Sequence, residues 1–122
     1  MLFDTTQLAL KRAIEGAALR QTALANNLAN ANTPGYRRVD VDFHSTLGRA
    51  LAAGTGTEAR DALERTTFAA ATDAAGAVRA DGSSVDPDAE SAKLAANALE
   101  HQAAVQVAAT RNAILQTAMG VR

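Results

Sequence analysis

For metal or nucleophilic chemistry this chain offers two histidines, His44 and His101, and no cysteine. A metal centre needs three or four convergent ligands at defined spacing, and neither histidine has a second one close by in sequence. Both therefore read as structural or surface residues. The pairs Asp40/Asp42 and Asp86/Asp88 stand two residues apart, as at the start of a calcium loop. The glycine and the closing glutamate of such a loop are missing from both places. No serine lies in a nucleophile elbow, and Gly54-Thr55-Gly56 lacks the preceding strand, third glycine and lysine of a phosphate-binding loop. These residue types predict no enzyme, no cofactor and no metal. The adjacent basic pairs, Lys11-Arg12 and Arg37-Arg38, suit a solvated patch or an ion pair between subunits.

The unusual side chains are amides. Asn26, Asn27 and Asn30 crowd the end of a helix-patterned segment, Asn32 stands at its exit, and Pro34-Gly35-Tyr36 closes the run. Asn26 and Asn30 share a helical face, as do Asn27 and Asn30. Asparagine costs a helix up to ~0.7 kcal/mol relative to alanine. Three in five residues predict amides that find partners better than water. Asn32 can adopt the left-handed conformation that ends a helix. Pro34 pushes Thr33 towards an extended conformation, and Pro34-Gly35 suits a type II turn. The helix should therefore stop at a defined point and turn the chain away at a defined angle.

Two long helices must position these groups. The first, from about Asp4 to Asn30, carries an a/d seam of Leu10, Ile14, Ala17, Leu24, Leu28 and Ala31, with Gln21 as a polar break. The last begins at Asp86, with Pro87 at its first position and Asp88 and Glu90 at the positive end of its dipole. It runs unbroken to about Met119, and Gly120 is a fitting terminator. Its apolar residues suggest a seam of Leu94, Ala98, Val105, Ala108, Leu115 and Met119, with His101 and Asn112 in the remaining slots. Ala96, Ala103, Val107, Ile114 and Val121 form a second apolar line. Between the helices periodicity is lost. A short helix is expected over Phe43–Ala53, a breaker at Gly54–Thr57, and short strands over Leu63–Phe68 and Gly76–Ala80. Turns are expected at Asp73–Gly76 and Asp81-Gly82.

The fold class is thus mainly α: two long terminal helices packed coiled-coil-like, antiparallel or steeply nested, with a small irregular or β-containing excursion between them. Of 122 residues 48% are hydrophobic, but aromatics are only 3% and much of the rest is alanine. Such a chain buries little per residue against about 1–2 kcal/mol of backbone entropy, so partial disorder before assembly is expected. A last helix apolar on two faces needs more than one partner helix, which predicts polymerisation. The net charge of −1 gives no field for nucleic acid, and no stretch reaches the length of a membrane span. Met1-Leu2-Phe3-Asp4 lacks a cleavable secretory pattern.

Asn26-Asn27-Leu28-Ala29-Asn30-Ala31-Asn32-Thr33-Pro34-Gly35-Tyr36 resembles the N-terminal signature of the bacterial flagellar rod, hook and hook-associated axial proteins. The continuation Arg37–Phe43 narrows this to the flagellar basal body rod protein family. Val85–Glu90, followed by Leu94, Asn97, Leu99, Gln102, Arg111, Leu115 and Gly120, resembles that family's C-terminal helix. His101 departs from a more frequent tyrosine. The resemblance divides the chain into an N-terminal rod-core helix (1–32), a turn and partly mobile excursion (33–85) and a C-terminal rod-core helix (86–122). It implies a structural subunit of the proximal rod, which carries torque from rotor to hook. It also implies as partners copies of itself, other rod subunits, the adaptor between rotor ring and rod, and the flagellar type III export apparatus. The location implied is the rod in the periplasm, reached without a cleaved signal. Contacts between subunits are expected at Asn26, Asn27, Asn30, Asn32 and Pro34-Gly35-Tyr36, along Leu10, Ile14, Leu24 and Leu28, and at Leu94, Asn97, Leu99, Gln102, Val105 and Leu115. A small soluble helical adaptor, or another rod- or hook-type axial protein, is the alternative.

Overall fold

In the computed structural model, which describes residues 4–120, helix α1 spans Thr5–Ala29 and helix α4 spans Pro87–Ala118. Two short helices, α2 (Phe43–Ala52) and α3 (Thr57–Arg65), and a two-stranded ribbon lie between them. The ribbon pairs β1 (Val39–Asp40) antiparallel with β2 (Ala71–Thr72), Val39 opposite Thr72. The protein is mainly helical, its long terminal helices pack together, and the small sheet sits between them in sequence. Val121, the last member of the second apolar line, and the segment Met1-Leu2-Phe3 lie outside the described residues.

Each helix starts on an aspartate wherever one is available. Asp4 accepts the Gln7 N–H at 2.9 Å, Asp42 accepts Ser45 N–H at 3.3 Å, and Asp86 accepts Asp88 N–H at 3.0 Å. Pro87 occupies the first turn of α4, where no intrahelical donor is lost. Gly120, at φ +71, ends that helix. At 1.5 Å per residue α1 is about 37 Å long and α4 about 48 Å.

Helices α1 and α4 are antiparallel: Asn27 meets Glu90, Ala17 and Gln21 meet Asn97, and Gln7 meets Asn112. A neighbouring flank of α1 carries the excursion. Phe43 packs against the backbone of Gly16, and with Ala17, Ala23 and Val41 it forms the core cluster that Val39 and Phe68 cover. The Phe68 ring meets Phe43 edge-on at 6.3 Å. Arg12 reaches from α1 to the carbonyl end of α3, donating to Leu63 O at 2.9 Å and Glu64 O at 2.7 Å.

The excursion differs from the sequence expectation. Leu63–Arg65 belongs to α3, not a strand, because Ala59 and Leu63 bury one face, Arg60 and Glu64 pair four residues apart, and Arg12 caps the end. No strand covers Gly76–Ala80, where the chain bends and turns instead. The end of α1 also differs. Asn32 is not left-handed, since no described residue other than glycine has positive φ. The helix tightens instead through Ala31 N–H to Leu28 O and Thr33 N–H to Asn30 O. The type II turn is present: Tyr36 N–H donates to Thr33 O around Gly35 at φ +74.

Candidate functional site

Asn27 is the centre of a polar hub that joins three segments of chain. Its amide nitrogen donates to Val39 O at 2.6 Å and to Glu90 Oε2 at 3.0 Å. Its oxygen accepts Val39 N–H at 3.0 Å and the Tyr36 hydroxyl at 3.2 Å. One amide therefore completes the free edge of β1 and reaches α4 with full hydrogen-bonding capacity, which a residue that is 0% exposed requires.

Around it lies a charge network. Arg38, itself buried, donates to Glu90, to Asp73 and, at 2.8 Å, to Asp40. Arg20 of α1 donates to the two oxygens of Asp40 at 2.8 and 3.3 Å. Tyr36, Arg38 and Asp40 alternate along the extended segment and so fall on one side of it. Burial opposes ionisation of Asp40, but hydrogen bonds from Arg20, Arg38 and the Val41 N–H outweigh it and hold the carboxyl at about 2. Asp73 is lowered as well, chiefly by the Ala75 N–H. Burial would ease a proton off Arg38, but Glu90 and Asp40 reverse that, so its guanidinium stays charged.

The two loops beside the hub are laced together. Ser84 N–H donates to Tyr36 O at 3.0 Å, Arg38 N–H to Ser84 Oγ at 2.8 Å, and Gly35 N–H to Asp81 O at 2.9 Å. A Cβ on Gly82, whose φ is +82, would stand 3.2 Å from Gly35 Cα, so both turns need glycine. Arg79 and Ser83 donate to Ala31 O, one of the carbonyls beyond the end of α1. This arrangement fixes the angle at which the chain leaves α1. It holds no reactive nucleophile, and His44, outside it, pairs with Glu100.

The residues expected at subunit contacts divide into two groups. Asn27, Leu24 and Asn97 are fully buried within the chain, where Asn27 and Asn97 make hydrogen bonds to β1, α4 and α1. Leu10, Ile14, Leu28, Leu94 and Leu115 are half-buried along the α1–α4 seam, and Asn30 and Tyr36 are half-buried near the hub. Asn26, Asn32, Pro34, Gly35, Leu99, Gln102 and Val105 are exposed.

The seam of α4 is not the apolar one read from sequence. It runs through Glu90, Leu94, Asn97, His101, Ala104, Ala108, Arg111 and Leu115, in steps of four and three. Ala98, Val105 and Met119 turn outward, because Asn97 and Arg111 have polar partners on or beside α1. Leu99 (69% exposed), Val107 (54%) and Ile114 (63%) face solvent on a helix whose one Asp, Glu, Lys or Arg between Lys93 and Arg111 is Glu100. No described helix is long and apolar enough to cross a membrane.

Sequence reasoning missed Arg38, Asp40, Arg20 and Glu90 as a unit. The one signal was the alternation Tyr36-x-Arg38-x-Asp40, which marks a strand with a polar face; Glu90 looked like an ordinary helix-start acid.

The family model for flagella basal body rod proteins matches residues 9–37, which cover most of α1, its exit turn and the start of the hub. The flagellar basal body rod protein FlgB of Yersinia enterocolitica is 35% identical over 105 residues, 75% of this chain and 77% of the relative. This chain belongs to the flagellar basal body rod protein family. FlgB of Salmonella typhimurium is 33% identical over 110 residues, 80% of each chain. FlgB of Buchnera aphidicola is 53% identical, but over 32 residues, about a quarter of either chain. As a member of the rod family the chain is a structural component of the flagellar basal body rod.

Proposed function

We propose that this chain builds the proximal part of the rod and helps to transmit torque from rotor to hook. Copies of itself, other rod subunits and the adaptor between rotor ring and rod are its neighbours. It reaches the periplasm through the flagellar type III export apparatus, unfolded and without a cleaved signal. The observation that carries this reading is the outward face of α4, where Leu99, Val107 and Ile114 are exposed and where Glu100 is the one Asp, Glu, Lys or Arg between Lys93 and Arg111. A face of this kind on a lone chain is left for other copies or neighbours to cover. Within the subunit, the hub holds the exit of α1 and the start of α4 at a fixed angle, so force entering one helix is passed to the other.

The test is the pair Val107→Asp and Ile114→Asp in one chain. Both side chains are exposed, so helicity of the purified variant should match the parent by circular dichroism. Cells carrying only the variant should export it, fail to incorporate it into basal bodies, and not swim. Normal swimming would exclude this face from assembly. Sedimentation of the parent chain as a discrete, stable dimer that hides both residues would favour a soluble helical adaptor instead.

A further inference from the structure

The amphipathic pattern of α4 favours a different face from the one it buries. The apolar set Leu94, Ala98, Val105, Ala108, Leu115 and Met119 contains more large apolar side chains than the observed seam; both include Leu94, Ala108 and Leu115, and His101 falls in a slot of each. They differ by a turn of α4 about its own axis of roughly 50°, half the step between adjacent residues. Hydrophobic burial alone would rotate Val105 and Met119 inward.

We propose that Asn97 sets the azimuth of α4 against α1 and thereby decides which apolar face is left outward. Asn97 is 1% exposed in the middle of the seam. Its amide nitrogen donates to Ala17 O at 2.9 Å and to Gln21 Oε1 at 2.7 Å. Ala17 O is a backbone acceptor, so the nitrogen must be the atom that faces α1. The Asn97 oxygen is buried without a partner. A lone buried acceptor forfeits its hydrogen bond to water without replacing it, a cost that a leucine in the same place would avoid. The asparagine therefore lowers stability relative to an apolar residue. In return it penalises the rotated arrangement, where both of its donors would lose their acceptors. A single polar residue in an apolar seam selects one packing in this way in coiled coils. The other polar links between α1 and α4 lie near the ends of the pair, at Asn27–Glu90, Gln7–Asn112 and Asp4–Arg111. Asn97 is the fully buried one in the middle, where rotation would otherwise meet least resistance.

The absence of native cysteine makes the experiment direct. Single cysteines at Ala104, which is half-buried in the seam, and at Val105, which is exposed, are labelled with a thiol reagent in the isolated chain. In the parent background V105C should react faster than A104C. In Asn97→Leu the ranking should reverse, while the melting temperature rises by several degrees and a cysteine at buried Ala23 stays protected. An unchanged ranking would overturn the proposal, because α4 would then hold its azimuth without Asn97. Labelling of all three sites, or a fall in melting temperature, would overturn it too, because Asn97 would then be a simple stabiliser. The readout needs no assembly, so it fails or succeeds independently of the rod reading.

Discussion

Arg38 and Glu90 are unequal partners, and the difference is measurable. Arg38 has three carboxylates, Glu90, Asp73 and Asp40, whereas Glu90 depends on Arg38, the Asn27 amide and Lys93 at 3.8 Å. Removing one partner of a buried pair typically costs about 3–5 kcal/mol, because a charge is left uncompensated. Arg38→Ala strands a fully buried Glu90 and should cost about that much in urea unfolding. Glu90→Gln leaves Arg38 with Asp40 and Asp73 and should cost clearly less. Equal losses would mean that the network does not share charge in this way. The hub also sets an acid limit. The folded Asp40 carboxyl lies at about 2, and Asp73 is lowered too, while unfolded carboxylates lie near 3.9. Below about pH 5 the unfolded chain takes up protons that the folded chain refuses, so stability falls as pH drops towards 2. Above pH 5 these groups contribute a constant term. With Asp40 partly exposed, its share is on the order of 1–2 kcal/mol. Asp40→Asn should lower stability at pH 7 and flatten the decline, the two curves converging near pH 2.

At the scale of elements, α1 and α2 meet closely where Gly16 faces Phe43. A Cβ on Gly16 would stand 2.6 Å from Phe43 Cβ and 2.7 Å from Cγ, atoms too near the backbone to swing aside. Alanine gains about 1 kcal/mol of helix propensity over glycine, but overpacking of this kind costs about 1–3 kcal/mol. Gly16→Ala should therefore give a net loss of up to about 2 kcal/mol in thermal unfolding; a net gain would show that α2 can lift away freely. The start of α4 was legible, since Asp86 and Pro87 announce themselves by local chemistry. Helix α3 was not. Its sequence, Thr57–Arg65, has weak apolar content, and Arg12 stabilises its end from 51 residues away. No local pattern carries that contact.

For the whole molecule, the chain is a helix pair braced on one flank and bare on much of the other. α4 buries fully only Glu90 and Asn97, and both are polar. That is why its inward face could not be read from hydrophobic periodicity. The double aspartate variant at Val107 and Ile114 tests whether the bare face is the one assembly uses, and the labelling of Ala104 and Val105 tests what keeps it bare. The sequence by itself determined the two long helices, the start and end of the second, the type II turn at Pro34-Gly35 and the family. These follow from local propensity, spacing and a contiguous signature. Tertiary structure alone decided that Asn27 bonds to β1, Tyr36 and α4, that Arg38 and Glu90 form the charged centre beside it, and which side of α4 faces α1. Each of those depends on a partner far away in sequence. A buried polar group is placed by its partner's position, which no single segment encodes.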